Sequence, residues 1–123
     1  MRYLTDRKRA TGWGSSKTGT DHAWSMKVSS VALLILIPLF LITVAPYTGQ
    51  PYEVVIDHFS RPFPAVIAAL TIGVGFMHFK DGVRVLIEDY VHGPAEQWLI
   101  IAMTCLCYAA AAFGIIAVVR LAI

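Results

Sequence analysis

The chain has 123 residues, of which 57% are hydrophobic and 15% charged, and its mean hydropathy is +0.65. Ordinary soluble domains carry about 25% charged residues. A net charge of +2 gives no electrostatic footprint for nucleic acid, so that partner is set aside and the basic excess is read as topological.

The ten Lys and Arg residues avoid three long apolar runs. Residues 28–45 hold no charge over 18 positions, and residues 98–119 hold none over 22. Residues 62–79 hold none except what His78 carries. Each run is near the ~20 residues that cross a ~30 Å hydrocarbon core. A soluble chain this short cannot build a core that buries three wholly apolar helices. The expected fold is an all-α membrane protein with three transmembrane helices, forming one anchor domain over residues 1–123. Its parts are an arm at 1–23, helix one at 24–45, an outer loop at 46–62, helix two with an interfacial extension at 63–91, and helix three at 95–120.

The arm carries Arg2, Arg7, Lys8, Arg9, with Lys17 and Lys27 following, against Asp6 and Asp21 alone. Basic residues beside a first span stay on the cytoplasmic side. The loop after helix one has only Arg61, with Glu53 and Asp57, whereas the next turn has Lys80 and Arg84. The N-terminus is therefore expected in the cytoplasm and the C-terminus on the opposite side. A signal peptide would have a 7–15-residue apolar region closing on small residues. Here the run is longer, starts late and leads to Pro46-Tyr47, and Met1 is retained, so an uncleaved arm is expected.

The segment GWGSSKTG at 12–19 lacks the G-x-x-x-x-G-K-[ST] spacing of a phosphate-binding loop and follows no strand. Thr20 or Asp21 is placed to cap helix one, and Pro38 is expected to kink it. Pro62 and Pro64 suit the first turn of helix two. Ala65, Ala69 and Gly73 recur every four residues along it, and Ala102, Cys105, Ala109 and Ala112 form a comparable stripe on helix three. Small residues so spaced let backbones approach closely in lipid, so both stripes are expected to pack within a bundle and against a partner subunit. Cys105 and Cys107 are about 200° apart round a helix and are read as small core residues.

The stretch FMHFKDGVRVLIEDYV at 76–91 carries the chemistry. An ionisable side chain in a membrane span is costly and is a functional-site hypothesis by default, and His is a common haem ligand. On a helix Thr71, Gly75, His78, Gly82, Val85 and Asp89 share one stripe. The glycines before and after His78 leave bare backbone on which a porphyrin would lie. The competing assignment is a histidine hydrogen-bonded to a neighbouring helix. Asp89 lies ~16 Å further along the same face, beside Tyr90. That phenol suits either an aromatic-belt anchor or a hydrogen bond to a quinone carbonyl, with the carboxylate orienting it or delivering protons. Lys27, with Ser29 and Ser30, sits at about the depth of His78. Its ammonium suits either an anionic haem propionate or snorkelling to headgroups. His22, Trp24, His58 and His92 are placed at interfaces or in loops, with no metal-ligand spacing.

Three features together resemble the smaller haem-anchor subunit of succinate dehydrogenase (succinate:ubiquinone oxidoreductase, respiratory complex II) in its alphaproteobacterial form. They are His78 followed after ten intervening residues by Asp89-Tyr90-Val91, the segment GSSKTGTDHAWSMKVSSVAL at 14–33, and the three-span, N-in layout. The resemblance implies that His78 is one axial ligand of a haem b iron, with the other on a larger cytochrome b anchor subunit. It implies that Tyr90, supported by Asp89, binds ubiquinone. FAD and iron–sulfur clusters would reside on a flavoprotein subunit and an iron–sulfur subunit, docked on the cytoplasmic face of a bacterial inner membrane. Relatives often carry Arg where this chain has Lys27 in Trp24-Ser25-Met26-Lys27, and lysine lacks the planar two-point contact of a guanidinium. Two alternatives of other kinds stand beside this one: the anchor of a fumarate reductase, and a cofactor-free assembly subunit.

Overall fold

The computed structural model describes residues 5–14 and 19–123; Arg2 and Lys17 of the basic arm and part of its glycine-rich approach lie outside the described residues. Five α-helices and one 3-10 turn make up the described chain: α1 (Asp6–Thr11), α2 (Asp21–Thr43), the 3-10 turn (Ala45–Tyr47), α3 (Tyr52–Phe59), α4 (Pro62–Tyr90) and α5 (Pro94–Ala122). Three of these, α2 continued through the 3-10 turn, α4 and α5, are long and apolar enough to span a membrane.

Helix α4 is the middle of the bundle, packing along α5 on one side and α2 on the other. It supplies most of the buried residues, among them Pro64, Ala65, Ile67, Ala68 and Ile87. In its most apolar 18-residue window 22% of positions are buried, against 6% in α2 and in α5. The outer helices therefore turn nearly all their side chains outward. Leu34, Ile35, Leu41 and Ile42 on α2, and Leu106, Phe113 and Ile116 on α5, are exposed. In water such a surface would aggregate, but it is the surface that lipid and apolar partners cover.

Helix boundaries follow local chemistry. Pro62 opens α4 and Pro94 opens α5, where a missing N–H costs nothing. Gly93 takes φ 82° between the two helices, a left-handed conformation that a side chain would strain. The helix of residues 62–90 runs unbroken from its apolar half into its charged half, as its periodicity requires. Thr20 occupies the N-cap of α2, but its side chain makes no capping bond, so the expected cap is positional only. Within the spans hydroxyls bond back to their own helix: Thr71 Oγ1 donates to the Ile67 carbonyl at 2.7 Å and Thr43 Oγ1 to that of Leu39 at 2.7 Å. With no water available, the nearest carbonyl satisfies the donor.

The outer loop expected at 46–62 contains a helix, α3, which places Phe59 in a cluster with Ala65, Ala68 and Val118. His58 belongs to the same closure: Nε2 lies 2.8 Å from the Thr43 carbonyl, and Tyr47 stacks on its ring at 3.6 Å. One expectation, concerning α5, needs correction. Ala102, Cys105, Ala109 and Ala112 are exposed, whereas Cys107 and Val118 are buried and Gly114 meets α4. The seam chosen from small-residue spacing faces outward, because α5 has equally apolar residues on all sides and the fit against Ile72 selects another face. The α4 stripe is placed as expected, with Ala65 buried and Gly73 facing Ile115.

The α4–α5 seam yields a paired prediction. A Cβ added at Gly114 would lie 2.8 Å from Cγ2 of Ile72, a β-branched side chain with little rotameric escape. Gly114→Ala is expected to destabilise the subunit by about 1–3 kcal/mol. Gly73→Ala would meet Ile115 Cδ1 at 3.7 Å, an ordinary contact, and is expected to be tolerated. Thermal denaturation of the purified complex in detergent measures both.

Candidate functional site

The polar chemistry of the spans gathers at the end of the α2–α4 seam next to the basic arm. His78 lies on α4, partly buried, with Nδ1 2.9 Å from Oγ of Ser29 on α2. Its Nε2 makes no hydrogen bond to any described residue; among the described residues the buried side-chain nitrogen without a partner is Nε2 of His22. One turn further along α4 comes Asp81, 4% exposed and the one buried charged residue among those described. Ser25 Oγ donates to its Oδ2 at 2.9 Å, Lys80 Nζ stands 2.9 Å from Oδ1, and His22 Nδ1 stands 3.9 Å from the same oxygen. The Lys80 ammonium also lies 5.7 Å from the centre of the Tyr108 ring on α5, within cation–π range. All three spans thus meet at one carboxylate and its partners.

Sequence reasoning found His78 and placed Ser29 at its depth, but missed Asp81, Ser25 and His22 as a group. The signal was present in the spacings. Ser25 and Ser29 are four apart on α2, His78 and Asp81 three apart on α4, and both spacings put a pair on one helix face. Two polar pairs on adjacent antiparallel spans can satisfy each other in one register.

The remaining candidates are not brought to His78. Lys27 is exposed and stands about 200° round α2 from Ser29. It lines an open groove of about 570 Å³ with Trp24, Val28, Ser30 and Val31, and forms no ion pair with a described residue. Asp89 and Tyr90 occupy the last turn of α4, both exposed, with Tyr90 at 82%. Arg84 and Glu88, in contrast, pair with each other at 2.7 Å. Asp89 and Tyr90 are thus presented to whatever lies beyond this chain.

The surroundings of His78 fit a flat apolar group. A Cβ built on Gly75 or Gly82 meets nothing within 4 Å, so the backbone on both sides of the imidazole is bare and open. One groove of about 380 Å³ runs past Gly75 and is lined by Phe40, Thr71, Ile72, Phe76 and Phe79. Another of about 380 Å³ is lined by Trp24, Ser25, Val28, Ser29, Ala32, Val74 and Met77. An imidazole with one nitrogen held and the other unbonded, between bare glycines, is a donor set suited to one face of a haem.

Fold and site define a multi-pass, all-helical membrane anchor whose polar groups are collected at one end. The profile of the succinate dehydrogenase/fumarate reductase transmembrane subunits matches residues 1–116, and the chain belongs to that family. The succinate dehydrogenase hydrophobic membrane anchor subunit of Paracoccus denitrificans is 45% identical over 121 residues, covering 98% of this chain and 94% of that protein. The succinate dehydrogenase membrane anchor subunit of Reclinomonas americana is 32% identical, covering 67% of this chain and 71% of its own. The hydrophobic membrane anchor subunit of Rickettsia typhi is 28% identical, with 63% and 62% covered. No solved structure matches the chain. The chain is a succinate dehydrogenase membrane anchor subunit of alphaproteobacterial type, a multi-pass protein of the inner membrane.

The Asp81 cluster predicts its own weight. Asp81→Ala removes the acceptor of Ser25 and the partner of Lys80 from a buried position, and is expected to destabilise the subunit by about 2 kcal/mol. Asp81→Asn retains an acceptor for Ser25 and is expected to lose less. Thermal unfolding of the detergent-solubilised complex ranks the two.

Proposed function

We propose that this subunit provides half of a haem b site and part of the ubiquinone-reducing pocket through which electrons from succinate leave the complex. The unbonded Nε2 of His78 is the observation that carries the haem assignment. An imidazole in a membrane span whose Nδ1 lies 2.9 Å from Ser29 Oγ, and whose Nε2 makes no bond to a described residue, would hold a haem iron through Nε2. The larger cytochrome b anchor subunit supplies the second ligand and the far wall. Haem b, when bound, would supply a one-electron store beside the quinone pocket.

Tyr90 and Asp89 work at the end of α4. The phenol donates a hydrogen bond to a quinone carbonyl, polarising it as it gains electrons. Asp89, adjacent in sequence, accepts and delivers protons that the reduced quinone needs. Both are exposed on this chain, which leaves them available to a pocket completed by partner subunits. The cytoplasmic placement of this end rests on the charge asymmetry: the antiparallel spans put Arg7, Lys8, Arg9, Lys27, Lys80 and Arg84 on one side, and Arg61 and Arg120 on the other. The flavoprotein and iron–sulfur subunits dock on the basic side, and dicarboxylate chemistry takes place on them. Lys27, exposed beside Trp24, is offered to an anionic group at that surface. The relatives are named for succinate dehydrogenase, which favours succinate oxidation over fumarate reduction.

Two measurements on the intact complex test these assignments. His78→Ala is expected to abolish the b-type absorption bands of the reduced complex; retention of the bands, or a pigment-free wild-type complex, would leave the cofactor-free role. Tyr90→Phe is expected to lower quinone reductase activity about tenfold, the value of one hydrogen bond, with assembly and succinate oxidation by an artificial acceptor unchanged. Full quinone reductase activity in that variant would remove Tyr90 from the pocket.

A further inference from the structure

Ser29 Oγ has three polar neighbours: the Ser25 carbonyl at 2.9 Å, the Met26 carbonyl at 3.0 Å and Nδ1 of His78 at 2.9 Å. A serine hydroxyl owns one proton and two lone pairs. Both carbonyls can only accept, and a single proton pointed between them serves the i−3 and i−4 positions of α2 together. With the proton there, the contact to His78 runs the other way, from Nδ1–H into a lone pair of Ser29; the ring tautomer sets the direction, and this is the arrangement that satisfies all three contacts at once. A neutral imidazole carrying its proton on Nδ1 has its free lone pair on Nε2. The opposite tautomer would require Ser29 to abandon both carbonyls, leaving Nε2–H as a donor unable to bind a metal.

We infer that Ser29 is a positioning residue for His78, an acceptor that locks the imidazole in the Nδ1–H tautomer and aims the Nε2 lone pair at the iron; this rests on the haem assignment above. The Ser25–Asp81 bond at 2.9 Å holds the register in which this works. Ser25 and Ser29 are separated by ~6 Å of helix rise and His78 and Asp81 by ~4.5 Å, so the two bonds form successive rungs between antiparallel helices. A slip of α2 along α4 would break both.

An acceptor on the distal nitrogen raises the basicity of a metal-bound imidazole and so favours ferric over ferrous iron. The test is a redox titration and a low-temperature EPR spectrum of haem b in the purified complex, with haem content measured on the assembled fraction. Ser29→Ala is expected to shift the preference toward ferrous iron by up to about tenfold, a rise of ~59 mV for one electron, and to move the low-spin g-values as the ring loses its anchor. Ser29→Thr, whose hydroxyl can make the same bond to the i−4 carbonyl, is expected to restore both. Ser30→Ala removes a neighbouring hydroxyl bonded to the Met26 carbonyl at 2.7 Å and is expected to change neither. If the alanine variant fails to assemble, Ser29→Cys, close in volume and a poor acceptor, is expected to give the same two shifts. A wild-type potential and spectrum in the alanine or cysteine variant, or an equal shift in Ser30→Ala, overturns the inference. If His78→Ala loses the b-type bands while Ser29 substitutions move nothing, only the role of Ser29 fails. If His78→Ala keeps the bands, the haem assignment itself fails.

Discussion

Two hydrogen bonds across the α2–α4 seam, Ser25 to Asp81 and Ser29 to His78, organise the functional end of this subunit. Elsewhere the spans offer apolar surface, which packs acceptably in many registers because lipid and leucine are equally good neighbours. Polar groups remove that freedom. A carboxylate at 4% exposure must find donors, and in this bundle they come from α2 and from the adjacent Lys80. Once Asp81 is satisfied, His78 is set opposite Ser29, and the ring orientation follows from helix geometry.

The rest of the bundle supports this seam. Helix α4 sits between its neighbours, with a small-residue face toward α5, so its position is fixed from both sides. Gly114 admits Ile72 where any larger residue would hold α5 away. At the far end Phe59, carried by α3, closes the space between spans, and His58 ties that closure to the end of α2. One end of the bundle is therefore an apolar plug, and the other is a polar cluster open to partners.

Asp89 and Tyr90 stand exposed, two of the three spans bury almost nothing, and the small-residue stripe of α5 faces outward. In a membrane, surface of this kind is matched by lipid or by another helix. The grooves past Gly75 and past Ser29 are open, each lined by α2 and α4.

Much of this was legible in the amino-acid order, and the boundary has a physical basis. Three apolar spans, the opening prolines and the isolation of His78 all follow from charge exclusion and local backbone chemistry. Those constraints act along the chain and need no knowledge of its neighbours. The sequence also brought out the charge asymmetry and the His78-to-Tyr90 spacing, by which the family is recognisable. Which face of α5 packs inward could not be read, because an almost uniformly apolar helix has no face to prefer until Ile72 meets Gly114. Nor could the partnership of Asp81 with Ser25 and of His78 with Ser29, residues 56 and 49 positions apart. Those bonds exist only when two antiparallel helices settle in one register, and only tertiary packing chooses it.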